Sequence, residues 1–529
     1  MRAALLAALA ACSAAAAPSA TPVAAPTPRF TPTPLMSAPG EYDIARISRE
    51  AGKAIFARTG IGDPYRTGVP YPIFLALLRA FPKTLGATTD ELAHRFGFVS
   101  RAADPASADL DVREGLPLGM HLTTDPITNV PFVVTNCALC HAERLRWPGG
   151  EATVIGLGNK RVRIHAYDAA FAQITREPGF SAERLGRLAS EAAGEHHVAW
   201  PDAYRDAIVG ATIASLRQRA ADRAELHARV AGGPPGRVAT IESFALVLAQ
   251  LTGKPVDYAP TVGWAKVPDV IGFAQRTTLS WDGSGQGPMD LLAVEADVAA
   301  GVRVEWMQHH PFQGASLGAY LRQPEPRPAF PGTIDRALAE RGRALFDQHC
   351  AQCHGHYGNG RALEGSGSSA PSDAERRGVV IDYDEQVVSL EEVGTDPARA
   401  QAATASFERA ANDPALTLGY TKFVRTDGYV PPVLVDVWAR APYGHAGQWP
   451  SLAVLATPPE RRARQVVLAL DAPYDLGAVG VATRAPGAAL GAGEYLQDAA
   501  RPGLSNAGHP FLADLGDGAA AVIEYLKTL

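Results

Sequence analysis

Residues 342–354 read Gly-Arg-Ala-Leu-Phe-Asp-Gln-His-Cys-Ala-Gln-Cys-His, a helical segment that leads directly into a Cys-x-x-Cys-His motif. A second motif of this kind, Cys-Ala-Leu-Cys-His, occupies residues 137–141. In such a motif two thiols at positions i and i+3 attach a haem covalently, and the adjacent imidazole turns toward the iron. The sequence therefore predicts two c-type haems, one on each motif.

Zinc is the competing interpretation of paired cysteines. A structural zinc site needs four ligands gathered together, whereas these two pairs are far apart in the sequence and a histidine directly follows each. The fifth cysteine, Cys12, lies near the N-terminus, so none remains for a structural disulfide. The two motifs supply the predicted covalent anchors and proximal iron ligands: Cys137, Cys140 and His141 for the first haem, and Cys350, Cys353 and His354 for the second.

Length and charge limit the architecture and the partners. The chain has 529 residues, of which 47% are hydrophobic, and this is enough for two core domains. Its formal charge of −6 is spread without long blocks of like charge, which gives no reason to expect nucleic acid as a partner. A redox partner protein, or a small-molecule oxidant or substrate, fits this charge distribution better.

The N-terminus has the form of an export signal, which we place at residues 1–17. A basic residue at position 2 precedes an apolar stretch that ends at Cys12. Two ways of processing stay open, because residues 9–12 resemble a bacterial lipobox with Cys12 as the lipidated residue, while residues 14–17 offer a plain cleavage site. No later stretch is apolar for long enough to span a bilayer. We expect a periplasmic protein or one held in a bacterial envelope by a lipid anchor.

Composition and turn signals divide the rest of the chain. Residues 18–41 are rich in Ala, Pro and Thr and are predicted to form a tether. Residues 42–322 form the predicted N-terminal haem domain, and residues 323–332 form a proline-rich linker. Residues 333–529 are predicted to be a C-terminal cytochrome c-like haem domain. Helical patterns prevail, so the predicted fold class is mainly α: two cytochrome c-like haem domains with long irregular loops.

The second axial ligand decides whether a haem carries electrons or binds a small molecule. The last methionine is Met307, so a histidine is the better candidate for the second haem. His509 precedes the final helix and is the first choice, with His445 as the runner-up; either could instead donate to a haem propionate or to the backbone. The first haem has only diffuse distal candidates, for each of which a core or surface role is the plainer interpretation: Met120, His121, His165, His309 and His310.

Five further segments carry a recognisable pattern: Gly-Leu-Pro-Leu-Gly at 115–119, Trp-Asp-Gly at 281–283, Ala-Pro-Tyr-Gly-His-Ala-Gly at 441–447, Asn-Ala-Gly-His at 506–509 and Glu-Tyr-Leu-Lys-Thr-Leu at 524–529. With the haem motifs, they resemble the dihaem cytochrome c peroxidase superfamily, and within it the rubber oxygenase branch. The resemblance implies a reactive haem on His141 with an open or labile distal side, and a six-coordinate haem on His354 that relays electrons.

Some residues depart from that pattern or have more than one interpretation. Gly444 stands where the family tends to have a large apolar residue, and the stretch after His141 is more basic, so the branch name does not identify the substrate. Trp281 could line a distal pocket or lie between the haems, and a core tryptophan is the plainer interpretation.

Two functions are compatible with these features. The first is a haem-dependent oxidoreductase of the peroxidase or oxygenase type, which reacts at the His141 haem and exchanges electrons through the His354 haem. The alternative is a non-catalytic periplasmic electron-transfer cytochrome. Length favours the enzyme, because a simple carrier needs only about a hundred residues per haem.

Overall fold

The computed structural model describes residues 48–58, 65, 68–100, 115–295, 311–324, 327–358, 380–414, 421–487 and 489–529. Met307, His309, His310 and the predicted signal and tether lie outside these ranges. Residues from Tyr42 to Leu529 cluster into one compact unit that contains both haem motifs. The predicted division at residues 323–332 stays a prediction. Within the described ranges, no helix has both the length and the apolar character needed to cross a membrane.

Helices form most of the regular structure. Several begin at a side-chain cap, as at Thr88 and Asp335, whose oxygens accept the backbone N–H groups of Glu91 and Leu338. In chain order the helices are α1 Arg49–Ala57, α2 Tyr71–Ala80, α3 Pro82–Leu85, α4 Thr89–Phe96, α5 Ile164–Ile174, α6 Ala182–Glu195, α7 Asp202–Asp222, α8 Ala224–Val230, α9 Thr240–Thr252, α10 Met289–Glu295, α11 Pro311–Arg322, α12 Arg336–His349, α13 Ala351–His354, α14 Leu390–Val393, α15 Ala405–Ala411, α16 Leu452–Leu455 and α17 Gly518–Leu526.

Short antiparallel strands are also numerous, so the fold is mixed and the prediction of a mainly α chain is only loosely confirmed. Many strands have two or three residues, too few for an alternating pattern to show in the sequence. The strands are β1 Val69–Pro70, β2 Met120–Thr124, β3 Pro131–Thr135, β4 Ala142–Trp147, β5 Gly150–Ile155, β6 Arg237–Val238, β7 Ala265–Lys266, β8 Thr278–Leu279, β9 Gly285–Gln286, β10 His356–Gly358, β11 Val380–Asp382, β12 Val388–Ser389, β13 Lys422–Phe423, β14 Gly428–Tyr429, β15 Gln465–Ala469, β16 Thr483–Arg484 and β17 Glu494–Asp498.

These strands form small separate sheets. Strand β3 lies between β1 and β2, β9 between β13 and β8, and β15 between β16 and β17. The other pairings are two-stranded, namely β4 with β5, β6 with β7, β10 with β11 and β12 with β14. Strand β9 pairs with β8 on one side and with β13 on the other, and β13 lies far along the chain, so this sheet joins the parts of the chain before and after the predicted linker.

The β4–β5 hairpin follows the first haem motif directly. Its register pairs Ala142 with Ile155 and Trp147 with Gly150. Trp147 packs edge-on against Trp438, with ring centres 6.3 Å apart. The hairpin therefore connects the first haem segment to the core formed by residues of the C-terminal half.

A buried arginine makes a second connection between the halves. Arg237, in β6, donates from Nε to the carbonyl of Ala446 at 2.8 Å and from Nη2 to that of Gly447 at 2.5 Å. The same guanidinium bonds the side-chain oxygen of Gln497 at 2.9 Å. Because these acceptors are neutral and the group is buried, the pKa of Arg237 is lowered to about 10.

The helix before the second haem motif packs against the last helix of the chain. Phe346 of α12 contacts Tyr525 of α17, with ring centres 5.3 Å apart. Gly342 lies at the crossing, where a Cβ would overlap the carbonyl oxygen of Ala521. The two helices can approach this closely only because position 342 has no side chain.

Replacing Gly342 by Ala should lower the free energy of unfolding by about 1–3 kcal/mol, since the new methyl group forces the two helices apart. Gly210, in α7, is the matched control, because a Cβ there meets nothing within 4 Å. Gly210→Ala should stabilise the helix by about 0.5–1 kcal/mol. Urea unfolding of both variants checks this, and equal midpoints would show that the α12–α17 crossing is not tight.

Candidate haem centres

The first haem segment is held in a tight turn at the end of β3. The side-chain oxygen of Asn136 accepts the backbone N–H of Ala138 at 3.1 Å, which starts a single 3-10 turn over Cys137–Leu139. Gly119 has a φ of 88°, and a Cβ there would overlap the backbone of Leu139. This glycine therefore lets the preceding loop pass close beneath the motif.

The ring of His141 is oriented by a backbone carbonyl. Its Nδ1 lies 2.9 Å from the oxygen of Pro268. Because a carbonyl only accepts, the proton is on Nδ1, and Nε2 keeps its lone pair for a metal. Burial lowers the pKa of His141, so the imidazole stays in its neutral, ligating form.

The second haem segment repeats this arrangement on different elements. Cys350 follows α12, and its N–H bonds the carbonyl of Phe346 at 2.8 Å. The single turn of α13 then presents His354, whose Nδ1 lies 2.8 Å from the carbonyl oxygen of Pro432. Burial lowers the pKa of His354 as well. Both proximal rings thus donate from Nδ1 to a proline carbonyl and leave Nε2 free.

The cysteines are not poised as free thiolates. Burial raises the pKa of Cys140 to about 12 and that of Cys350 to about 11. Reactive or zinc-binding cysteines have lowered pKa values, because the thiolate is the nucleophile and the ligand. Attachment as thioethers, which carry no proton, suits these sites better than either alternative.

His509 faces His354 at the separation that two ligands of one iron require. The ring centres are 6.2 Å apart, with the planes inclined by 54°. A metal–imidazole bond is about 2 Å long and the ring centre lies about 1 Å behind the nitrogen, so opposed ligands have centres roughly 6 Å apart. The geometry therefore fits one iron between His354 and His509.

The loop that carries His509 is held rigidly despite an unfavourable backbone conformation. The φ of His509 is 48°, which costs a residue with a side chain on the order of 1 kcal/mol. Its N–H donates to the carbonyl of Val393 at 2.7 Å. Arg462 donates to the carbonyls of Gly508 at 2.6 Å and of His509 at 3.2 Å. The surrounding structure thus fixes the backbone of His509, whose ring centre lies 6.2 Å from that of His354.

His445 is buried but is not paired with either proximal histidine. Its ring stacks on Tyr429, with centres 4.0 Å apart and planes inclined by 11°. The Gln448 amide nitrogen lies 3.5 Å from its Nδ1 and 3.0 Å from the Thr395 hydroxyl, while the amide oxygen accepts the Ala446 N–H. Nδ1 is therefore an acceptor and the proton is on Nε2.

That Nε2–H has no acceptor among the described residues. Burial lowers the pKa of His445 to about 3, so the ring is neutral. An unpaired buried donor of this kind is costly. A haem propionate is an acceptor that would satisfy it, in line with the alternative role for His445.

The other described distal candidates lie on β2 and α5. Met120 is buried in the N-terminal core. His121 lies on β2 opposite Val134, and Nε2 of His165 accepts the N–H of Ala239 at 2.8 Å. In the described ranges the ring beside His141 is Phe56, with centres 6.2 Å apart and an inclination of 64°, and no imidazole faces His141 as His509 faces His354.

Trp281 is tied to both proximal segments. Its Nε1 donates to the carbonyl of Lys266 at 3.0 Å, two residues before Pro268. Its carbonyl accepts the N–H of Val430 at 2.8 Å, two residues before Pro432. Trp281 is therefore fixed to the two stretches of backbone that orient His141 and His354.

Comparison with known proteins supports a c-type cytochrome. The family described as RoxA-like, cytochrome c-like matches residues 428–465, and that described as cytochrome C oxidase, cbb3-type, subunit III matches residues 337–388. The chain therefore contains cytochrome c-like sequence, which implies covalent haem with iron and haem-based electron transfer. Membership of the dihaem peroxidase superfamily is not established by these matches.

Two curated relatives from Sinorhizobium fredii are similar to parts of the chain. The uncharacterized protein y4iJ is 27% identical over 37% of this chain and 40% of its own length. The uncharacterized protein y4iM is 26% identical over 40% of this chain and 48% of its own length. The chain thus spans less than half the length of the curated relatives it matches.

Replacing His509 by Ala should convert the haem on His354 from low spin to high spin, because the ring opposite His354 is removed. His445→Ala is the control, since that ring is also buried but does not face His354. Electronic absorption and electron paramagnetic resonance spectra of the two variants check this. A high-spin haem in His445→Ala and an unchanged spectrum in His509→Ala would reverse the assignment.

Proposed function

We propose that this protein is an exported dihaem c-type cytochrome that acts as a haem-dependent oxidoreductase of the peroxidase or oxygenase type. The observation that supports it is the asymmetry between the two proximal histidines. His354 faces His509 at ligand distance, whereas no described imidazole faces His141. Two protein ligands suit a haem for electron transfer, while an open position suits it for a small molecule.

The residues present fit a haem at each motif. Cys137 and Cys140 would anchor the first haem and Cys350 and Cys353 the second, with Nε2 of His141 or His354 directed to the iron. When bound, the haems supply one-electron redox chemistry and, at His141, a coordination position for a small oxidant or substrate. The unpaired Nε2–H of His445 supports the presence of a carboxylate acceptor such as a propionate.

The protein's own groups set how each proximal ring binds. The carbonyls of Pro268 and Pro432 hold the proton on Nδ1, which fixes the tautomer and raises the basicity of Nε2 toward the iron. Phe56 packs beside His141 in an edge-to-face arrangement, with ring centres 6.2 Å apart. These contacts orient the ligand before any substrate arrives, so the first centre is pre-organised.

Trp281 is the residue we place between the two centres. Its bonds to Lys266 and Val430 support this position, because those residues flank the acceptors of the two proximal rings. An aromatic residue held by its indole nitrogen on one segment and by its backbone carbonyl on the other is suited to electron exchange between the haems. In this proposal the His354 haem supplies or withdraws the electrons that the reaction at the His141 haem needs.

Export and partners complete the proposal. Residues 1–17 would direct the chain to the periplasm, with Cys12 as the site of a lipid anchor if the lipobox is used. The partner in solution would be a redox protein or a small-molecule oxidant or substrate. An electron-transfer cytochrome with no catalytic activity is the alternative that experiment must exclude.

Titration with carbon monoxide tests the open position. The purified protein should contain two haems per chain in a pyridine haemochrome assay, and the reduced protein should bind one equivalent of carbon monoxide, because within the described ranges no imidazole is placed opposite His141 as His509 is placed opposite His354. His509→Ala is the matched variant, and it should bind two equivalents.

The haem count and the carbon monoxide titration test separate parts of the proposal. One haem per chain would contradict the dihaem assignment. Two haems with no carbon monoxide bound would contradict the enzymatic function and favour the electron carrier.

A further inference from the structure

One buried ion pair connects the backbone segments that orient the two proximal histidines. Pro268, whose carbonyl lies 2.9 Å from His141 Nδ1, is followed by Asp269. Asp269 accepts two bonds from Arg440, at 2.7 Å from Nη2 and at 2.9 Å from Nε. Such a two-point contact between guanidinium and carboxylate fixes both orientation and distance.

Arg440 also contacts the segment that orients the second ring. Its Nη1 donates to the carbonyl of Val433, the residue after Pro432, whose carbonyl lies 2.8 Å from His354 Nδ1. Pro268 and Pro432, whose carbonyls accept from the proximal rings, are thus each followed directly in the sequence by a residue that is hydrogen-bonded to Arg440. One guanidinium is the common partner of both segments.

The position of Arg440 is itself fixed. Its backbone carbonyl accepts a bond from the ammonium group of Lys266, at the end of β7. The exposed fractions of the Arg440 and Asp269 side chains are 6% and 8%. Because water is almost excluded, the contact between the two groups is held tightly, and a change at one residue is transmitted to the other.

We propose that Arg440 and Asp269 are positioning residues that couple the two haem centres, by setting the proximal hydrogen bond of His141 and that of His354 together. This inference rests on the proposed function, because it requires a haem at each motif. The strength of the Nδ1–H bond controls how strongly each imidazole binds its iron. A shift of the Arg440 guanidinium alters both bonds at once.

A change in the charge of the pair should shift the reduction potentials of both haems in the same direction. With Asp269 ionised and Arg440 protonated, the pair is neutral as a whole. Replacing Asp269 by Asn removes the carboxylate that acts on both Arg440 and the buried Lys266, so the net positive charge of this cluster rises by one, with Asp436 as the remaining acidic group that acts on Arg440. A nearby positive charge favours the ferrous form of a haem over the ferric form, because the ferrous iron carries one positive charge fewer.

Spectroelectrochemical titration of the holoprotein at pH 7 tests the coupling. Asp269→Asn should raise the midpoint potentials of both haems, on the order of tenfold in each reduction equilibrium constant, or about 59 mV for a one-electron couple. Asp168→Asn is the matched control. Asp168 is also an ion-paired aspartate, with 21% of its side chain exposed, and it is bonded to Arg223 at 2.7 Å and to His227 at 2.9 Å; Arg223 lies between α7 and α8, and His227 lies on α8. This variant should leave both potentials unchanged.

Arg440→Lys keeps the proposal testable if Asp269→Asn does not yield holoprotein. Lysine retains the charge but cannot bond the Asp269 carboxylate at two points and Val433 together, so the paramagnetic resonance signals of both haems should shift. A potential or signal that changes at only one haem, or at neither, overturns the coupling, as does an equal shift in Asp168→Asn. A pyridine haemochrome value of one haem per chain instead contradicts the proposed function on which the coupling rests.

Discussion

The hydrogen bond from a proximal imidazole to a proline carbonyl is the constraint on which both centres depend. It leaves Nε2 of His141 and of His354 unprotonated and directed away from the backbone. Each motif determines only the positions of its cysteines and histidine along the backbone. Segments far along the chain, around Pro268 and Pro432, determine the orientation of the two imidazole rings. Each ring is therefore oriented only once a segment far along the chain, 127 residues away for His141 and 78 for His354, has packed against its motif.

The two centres differ in what lies opposite the ring. On the second, the loop at residues 506–509 brings His509 to 6.2 Å from His354, and Arg462 holds that loop by bonds to the carbonyls of Gly508 and His509. On the first, Phe56 packs beside the ring. This difference supports the proposed division between an electron-transfer centre and a reactive one, whereas identical centres would suit a simple carrier.

The local features of the two sites were predicted from the sequence. The anchors and proximal ligands follow from two short motifs, and the place of His509 before the last helix, together with the lack of later methionines, singled it out. The β4–β5 hairpin was missed because Glu143 reads as an exposed charge, yet it is buried against Lys160 at 3.2 Å. The acceptors Pro268 and Pro432 act through their backbone carbonyls, which every residue has, so no sequence pattern identifies them. Asp269 and Arg440 lie 171 residues apart, so only the fold brings them together.

The central claim is that one iron has two histidine ligands while the other has an open position. An electron paramagnetic resonance spectrum of the oxidised protein tests it most directly. We expect one low-spin signal of a haem with two histidines and one high-spin signal of equal intensity. Two low-spin signals that persist at every pH at which the protein is folded, or a single haem signal per chain, would contradict this account.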